Sequence, residues 1–184
     1  MTAFSILGIS GSLRKASYNT AALHAAQELA PEGVTIAIAD ISAIPIYNDD
    51  VRAAGIPASV LALGADIARA DAVLIATPEY NFSIPGVLKN AIDWISRLPD
   101  QPFKNKPVAI LGASPGPVGT ARAQYDLRKV FVFLDAHVLN KPEIMISNAG
   151  TRFDAEGKLT DETSRKFLAS QIEALRAWAA RLKE

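Results

Sequence analysis

The sequence predicts a three-layer α/β fold, a five-stranded parallel sheet with helices on both faces. Three observations lead there. Short apolar runs alternate with longer helix-like stretches along the whole chain, the pattern of repeated strand–helix–strand units. The runs are continuously apolar, as strands covered on both faces must be. The segments after the first, third and fourth runs are rich in Gly, Ser, Asn and Pro, where open α/β sheets bind ligands.

Taken in order, strands are expected over residues 4–10, 34–40, 72–77 and 107–113. A fifth lies within 137–147, interrupted at Pro142, which cannot donate to a ladder. Helices are expected near residues 19–30, 57–70, 85–98, 120–134 and 161–182. Pro85 suits a first helical turn, and Thr120 and Asp161 suit N-caps. The last stretch has the pattern of a packing helix with a charged outer face. Right-handed crossovers then favour the flavodoxin-like strand order 2-1-3-4-5. No repeat, low-complexity tract or linker divides residues 1–184, so one domain is expected.

Composition narrows the function. The chain has 184 residues, is 49% hydrophobic, and carries 19 basic against 19 acidic side chains, giving no net charge. A dedicated nucleic-acid binder would carry a basic excess. No cysteine is present, which removes disulfides, thiolate catalysis, iron–sulfur ligation and Cys-zinc sites. Redox chemistry would then need a bound cofactor. No leader peptide or membrane-length apolar run is readable, and a cytoplasmic location is expected.

The segment S10-G-S-L-R-K-A-S-Y-N19 links the first strand to the first helix. Gly11 allows a tight turn, and free N–H groups at the helix start attract an anion. Ser12, Ser17 and Asn19 add donors, and Arg14 adds a charged fork. Together they suit a terminal phosphate monoester. Gly8 and Gly11 have the wrong spacing for G-x-G-x-x-G, and G-x-x-x-x-G-K-[ST] is absent.

After the third strand, Pro78 and Pro85 bracket a stiff loop containing Glu79, Tyr80 and Asn81. Such a loop can offer backbone groups to a flat ring, with Tyr80 packed against it. Glu79 is expected to orient this loop or to line the ligand. After the fourth strand, S114-P-G-P-V-G-T120 offers Gly116 and Gly119 for close backbone approach. His24, His137 and Trp94 are expected to be packing or surface residues.

The motifs G11-S-L-R-K-A-S-Y-N19, P78-E-Y-N-F-S-I-P-G-V-L-K-N-A-I-D-W94 and A123-Q-Y-D-L-R-K-V-F-V-F-L-D135 resemble the NAD(P)H-dependent FMN reductase family, in its quinone and chromate reductase branch. The resemblance implies non-covalent FMN, with Ser12, Arg14, Ser17 and Asn19 at the phosphate. It places Pro78, Glu79, Tyr80 and Asn81 along the ring and ribityl, with Ser114 and Gly116 beside the pyrimidine. It also implies a homodimer or homotetramer, with Arg122, Tyr125 and Glu143 in a polar network between subunits. The chemistry would be ping-pong: hydride from NAD(P)H to flavin N5, then reduction of quinones, chromate, ferric complexes, azo dyes or free flavin. No catalytic side chain and no metal are required. The alternative is a flavodoxin-type electron carrier without NAD(P)H turnover, which neutral charge and Arg14 disfavour.

Overall fold

The computed structural model describes residues 3–183. Its elements run β1 (Phe4–Ser10), α1 (Tyr18–Glu28), β2 (Val34–Ala39), α2 (Asp49–Ala54), α3 (Ala58–Arg69), β3 (Ala72–Ala76) and α4 (Gly86–Ile95). They continue with β4 (Pro107–Ala113), α5 (Ala121–Phe133), β5 (His137–Val138), β6 (Ile144–Ile146), a 3₁₀ turn (Ala149–Thr151) and α6 (Glu162–Arg181). All pairings are parallel, in the order β2-β1-β3-β4-β5, with β6 also on β4. The expected strand order is observed. The expected fifth strand is two short pieces, which pair with opposite ends of β4 on either side of Pro142.

The strand pattern sorts the core into two layers. Along β3 and β4, Leu74, Ala109 and Leu111 point to one face, against Leu23 of α1 and Leu168, Ile172 and Leu175 of α6. Val73, Ile75, Val108 and Ile110 point to the other, against α3, α4 and α5. Period-two alternation thus serves two buried faces rather than one. Tucking a helix face against each side of the sheet is what removes both stripes from water.

Local signals set most helix boundaries. Ser17 caps α1, its Oγ accepting from the amides of Asn19 and Thr20. Asp161 caps α6 by accepting from the Ser164 amide. Pro85 is the N-cap residue of α4. Thr120 stands at the expected N-cap of α5, but its side chain makes no capping bond. Its Oγ1 instead accepts from the side-chain Nε2 of Gln124 at 3.1 Å. The helix α2 lies outside the helices expected from sequence. It spans six residues and buries none of them, so it leaves no apolar stripe to read.

The carboxyl ends of β1, β3 and β4 are held level. Gly11 N–H donates to the Ala76 carbonyl at 2.8 Å, and Thr77 N–H to the Leu111 carbonyl at 2.9 Å. Ser114 N–H reaches the Ile146 carbonyl at 3.0 Å. Gly112 makes this convergence possible. A Cβ there would lie 1.8 Å from Thr120 Oγ1 and 2.4 Å from the Thr77 carbonyl oxygen. Only a residue without a side chain lets these three segments meet.

Candidate active site

The three strand ends open onto a cleft of about 430 Å³. Its wall contains Ser12, Arg14, Ser17, Tyr18, Asn19, Pro78, Glu79, Tyr80, Ala113, Ser114 and Pro115. Most residues singled out from sequence therefore converge, and Tyr18, Ala113 and Pro115 join them. Asn81 and Gly116 do not form part of the wall.

The loop after β1 is short of internal partners. Ser12 N–H finds Ser10 Oγ at 3.3 Å, and Arg14 N–H finds Ser12 Oγ at 3.4 Å. The amides of Leu13, Lys15, Ala16 and Tyr18 donate to no acceptor among the described residues. These donors gather at the start of α1, where the helix dipole adds positive potential. The Arg14 guanidinium lies 5.6 Å from the centre of the Tyr18 ring and pairs with no carboxylate among the described residues. This is an anion cradle in donors, charge and dipole.

Asn19 is buried and its carboxamide is used twice. Nδ2 donates to the Ala113 carbonyl at 3.0 Å, and Oδ1 accepts from the Ala113 amide at 2.9 Å. The side chain thus acts as an extra strand residue against the end of β4. One amide hydrogen remains beyond these two bonds.

The loop after β3 is anchored at more points. Tyr80 and Ser83 exchange backbone hydrogen bonds at 3.1 and 3.0 Å, closing a tight turn. Its central residues, Asn81 and Phe82, have φ of 50° and 67°. Asn tolerates the left-handed region; Phe does so at a cost of about 1 kcal/mol. The turn is held from outside. Glu79, whose side chain is only 6% exposed, takes the Arg122 amide at 3.0 Å and the Ala123 amide at 3.2 Å. Its other oxygen accepts from Arg122 Nε at 2.5 Å and ion-pairs the same guanidinium. The Arg122 guanidinium also sits 3.6 Å from the centre of the Phe82 ring. Glu79 is therefore the cap that Thr120 does not supply, and its negative charge meets the positive end of α5. Ser83 Oγ adds a bond to Asp126 at 2.8 Å, further along the same helix.

The third loop is folded onto itself. Ser114 Oγ accepts from the Gly116 amide at 3.1 Å, and the Gly116 carbonyl accepts from Asn148 at 3.1 Å. Gly116 N–H is thus already engaged by Ser114. Gly119 has φ of 59° and packs against Met145.

The trio Arg122, Tyr125 and Glu143 divides within the chain. Arg122 goes to Glu79, while Tyr125 Oη donates to Glu143 Oε1 at 2.9 Å. Lys141 Nζ binds the other Glu143 oxygen at 2.8 Å. Bonds from Lys141 and Tyr125 hold the Glu143 carboxyl below its ordinary pKa, and the bond to Glu143 raises that of Tyr125. His24 lies on α1 with Nδ1 against Gln27, and His137 approaches Asn105, both outside the cleft. Trp94 is buried in the core.

Comparison with known proteins now adds to this geometry. Residues 4–151 match the family model described as NADPH-dependent FMN reductase. The chain belongs to that family. It is 59% identical over 178 residues to an NAD(P)H-dependent FMN reductase of Pseudomonas aeruginosa, covering 97% of this chain and 96% of that one. It is 45% identical over 181 residues to the quinone reductase of Escherichia coli, covering 97% and 96%. Among solved structures, the flavoenzyme NAD(P)H:(acceptor) oxidoreductase FerB of Paracoccus denitrificans superposes with a TM-score of 0.87. That match has 39% identity and covers 96% of this chain and 97% of the other. Membership makes the chain an oxidoreductase, with FMN as cofactor and NAD(P)H as co-substrate.

The residues present fit FMN. The unpartnered amides and Arg14 match a phosphate dianion, and the half-exposed Tyr80 ring overlooks the remainder of the cleft. Among the described residues there is no group of three or more His, Asp or Glu that could hold a metal, and no helix long and apolar enough to cross a membrane. What sequence reasoning missed are the supports: Gly112, Ala113 as the partner of Asn19, and Phe82 as the lid on Arg122.

Proposed function

We propose that this chain is an NAD(P)H:acceptor oxidoreductase that reduces quinones and other small acceptors through FMN held in the cleft, donor and acceptor taking turns at one open face. The observation that carries this reading is the row of amides without acceptors at the start of α1, beside an unpaired Arg14. When bound, FMN supplies hydride acceptance and donation at its ring nitrogen. The protein supplies position. Ser12, Arg14 and Ser17 hold the phosphate, and Asn19 fixes the loop while offering its remaining N–H. Pro78, the Glu79 backbone, Tyr80 and Ser114 form the walls for ribityl and ring. Asn81 and Gly116 act through backbone shape, since neither side of the cleft includes them.

In this reading Glu79 transfers no proton, because both its oxygens are engaged by α5 and Arg122. Quinones, chromate, ferric complexes, azo dyes and free flavin are all compatible with a site whose walls carry no acceptor-specific charge pair. The whole chain acts as one unit, and the outer side of α5 is its self-association face. Tyr125, Val132 and Phe133 are exposed there, the last to 86%.

The test is an anaerobic absorbance titration of the FMN-loaded protein with NADPH and then NADH. Bleaching, followed by recovery of colour on adding benzoquinone, is expected. Parallel lines in initial-rate plots at several quinone concentrations are expected for alternating occupancy. Protein that takes up no FMN, or stays oxidised under both nucleotides, overturns the reading.

A further inference from the structure

A second cleft, of about 690 Å³, lies between the first turns of α1 and the turn at residues 150–157. It shares Arg14, Ser17 and Tyr18 with the first cleft, so the two meet at the phosphate loop. Its walls differ in character. One edge is cationic: Lys15 stands beside Arg14, and neither pairs with a carboxylate among the described residues. The middle is aromatic, with Tyr18 packed on Phe153 at 5.1 Å. The opposite edge is acidic. There the Asp154 carboxylate holds a turn by accepting from the Lys158 amide at 2.7 Å, and the turn presents the exposed Glu156.

We infer that this cleft takes the adenosine 2′-phosphate end of NADPH, with Lys15 binding the 2′-phosphate. The inference rests on the NAD(P)H reading above. An adenosine phosphate offers a dianion, a flat base and an amino donor; the cleft offers a cation, an aromatic wall and carboxylates in that sequence. The chain has no Rossmann fingerprint, so the adenosine half must be held by something other than a G-x-G-x-x-G turn. The nicotinamide has to reach the first cleft, and the second adjoins it through the shared residues Arg14, Ser17 and Tyr18. Arg14, with donors on both edges of a planar fork, stands where the two meet and serves both anions.

The experiment is calorimetric titration of the FMN-loaded protein with 2′,5′-ADP and, separately, 5′-AMP, beside flavin-fluorescence titration of FMN itself. Lys15→Ala is expected to weaken 2′,5′-ADP about tenfold, the size of one charge-assisted hydrogen bond, while leaving 5′-AMP within about twofold. Ala21→Trp, which fills the cleft from α1, is expected to weaken both nucleotides at least about tenfold and leave FMN unchanged. If 2′,5′-ADP fails to bind protein that still oxidises NADPH, or binds both variants as it binds the parent, the inference is overturned and the function stands. If the protein takes up no FMN, both fall together.

Discussion

Two loops line the cleft, and their side chains are anchored to very different degrees. The loop after β1 leaves a run of amides unanswered and its arginine unpaired. The loop after β3 is pinned at several points, by the Tyr80–Ser83 bridge within it and by the Glu79 carboxylate and the Arg122–Phe82 contact that tie it to α5. An anion can be bound only by donors that have no other partner, so the first loop must tolerate unmet groups. A ring needs a fixed wall, so the second loop gains from being rigid before the ligand arrives. Readiness for charge and readiness for shape call for different local chemistry.

The largest effect is expected where the ring loop meets its base. Gly112→Ala places a methyl group within bonding range of Thr120 and the Thr77 carbonyl, so backbone must move. A loss of about 3 kcal/mol is expected, lowering the melting temperature by about 6–12 °C in calorimetry. An unchanged melting temperature would show that the strand ends are free to separate, and the rigid-wall idea would fail with it.

Next comes Glu79→Ala. It strips acceptors from two α5 amides and from Arg122, in a side chain that is almost fully buried. A loss of about 2 kcal/mol is expected in urea unfolding. Affinity for lumiflavin, which has the ring and no phosphate, should fall by the same factor as affinity for FMN. A drop confined to FMN would move Glu79 into the phosphate site.

Arg14→Ala sharpens the other side of the comparison. Since Arg14 has no carboxylate partner, thermal stability of the flavin-free protein should stay the same. FMN should bind about tenfold more weakly and riboflavin equally well, read by quenching of flavin fluorescence. Equal losses for both ligands would mean that Arg14 touches the ring.

The smallest effect lies outside both loops, at Glu143. Its folded pKa is below the ordinary 4.5, so the stabilisation it gives is complete above that value. Stability is lost as pH falls through the depressed folded value. Glu143→Gln should flatten that part of the stability–pH curve below about pH 4.5 and leave the neutral region little changed. A variant whose acid limb matches the parent would assign the loss to other carboxylates.

How far this was legible in sequence differs by region for physical reasons. Continuous apolar runs reveal the doubly buried strands β1, β3 and β4, while the edge strand β2 buries Val34 and Ile36 and exposes Thr35 and Ala37; crossover handedness adds the strand order. The donor-rich loop after β1 is equally readable because its polar residues are local to one segment. The ring loop is only half readable. Pro78 and Pro85 announce stiffness, but the cap that Glu79 gives α5 spans 43 residues of chain, and no local pattern encodes it. Asn19 looks like a ligand donor from its neighbours, while its main bonds go to Ala113, 94 residues away. Gly112 is one small residue inside an apolar strand, and only the packed structure shows what fills the space beside it.

The Asn19 bridge also makes the cleft vulnerable to ageing. Asparagine side chains slowly lose their amide nitrogen, and such a change would put a carboxylate oxygen where Nδ2 now faces the Ala113 carbonyl. A donor would become a charge opposed to an acceptor, in a buried position. One chemical event would then detach the phosphate loop from the end of β4 and add a negative charge beside the anion site. Under the proposed function, flavin affinity would then depend on a single carboxamide, whose two hydrogen bonds to Ala113 hold it in place.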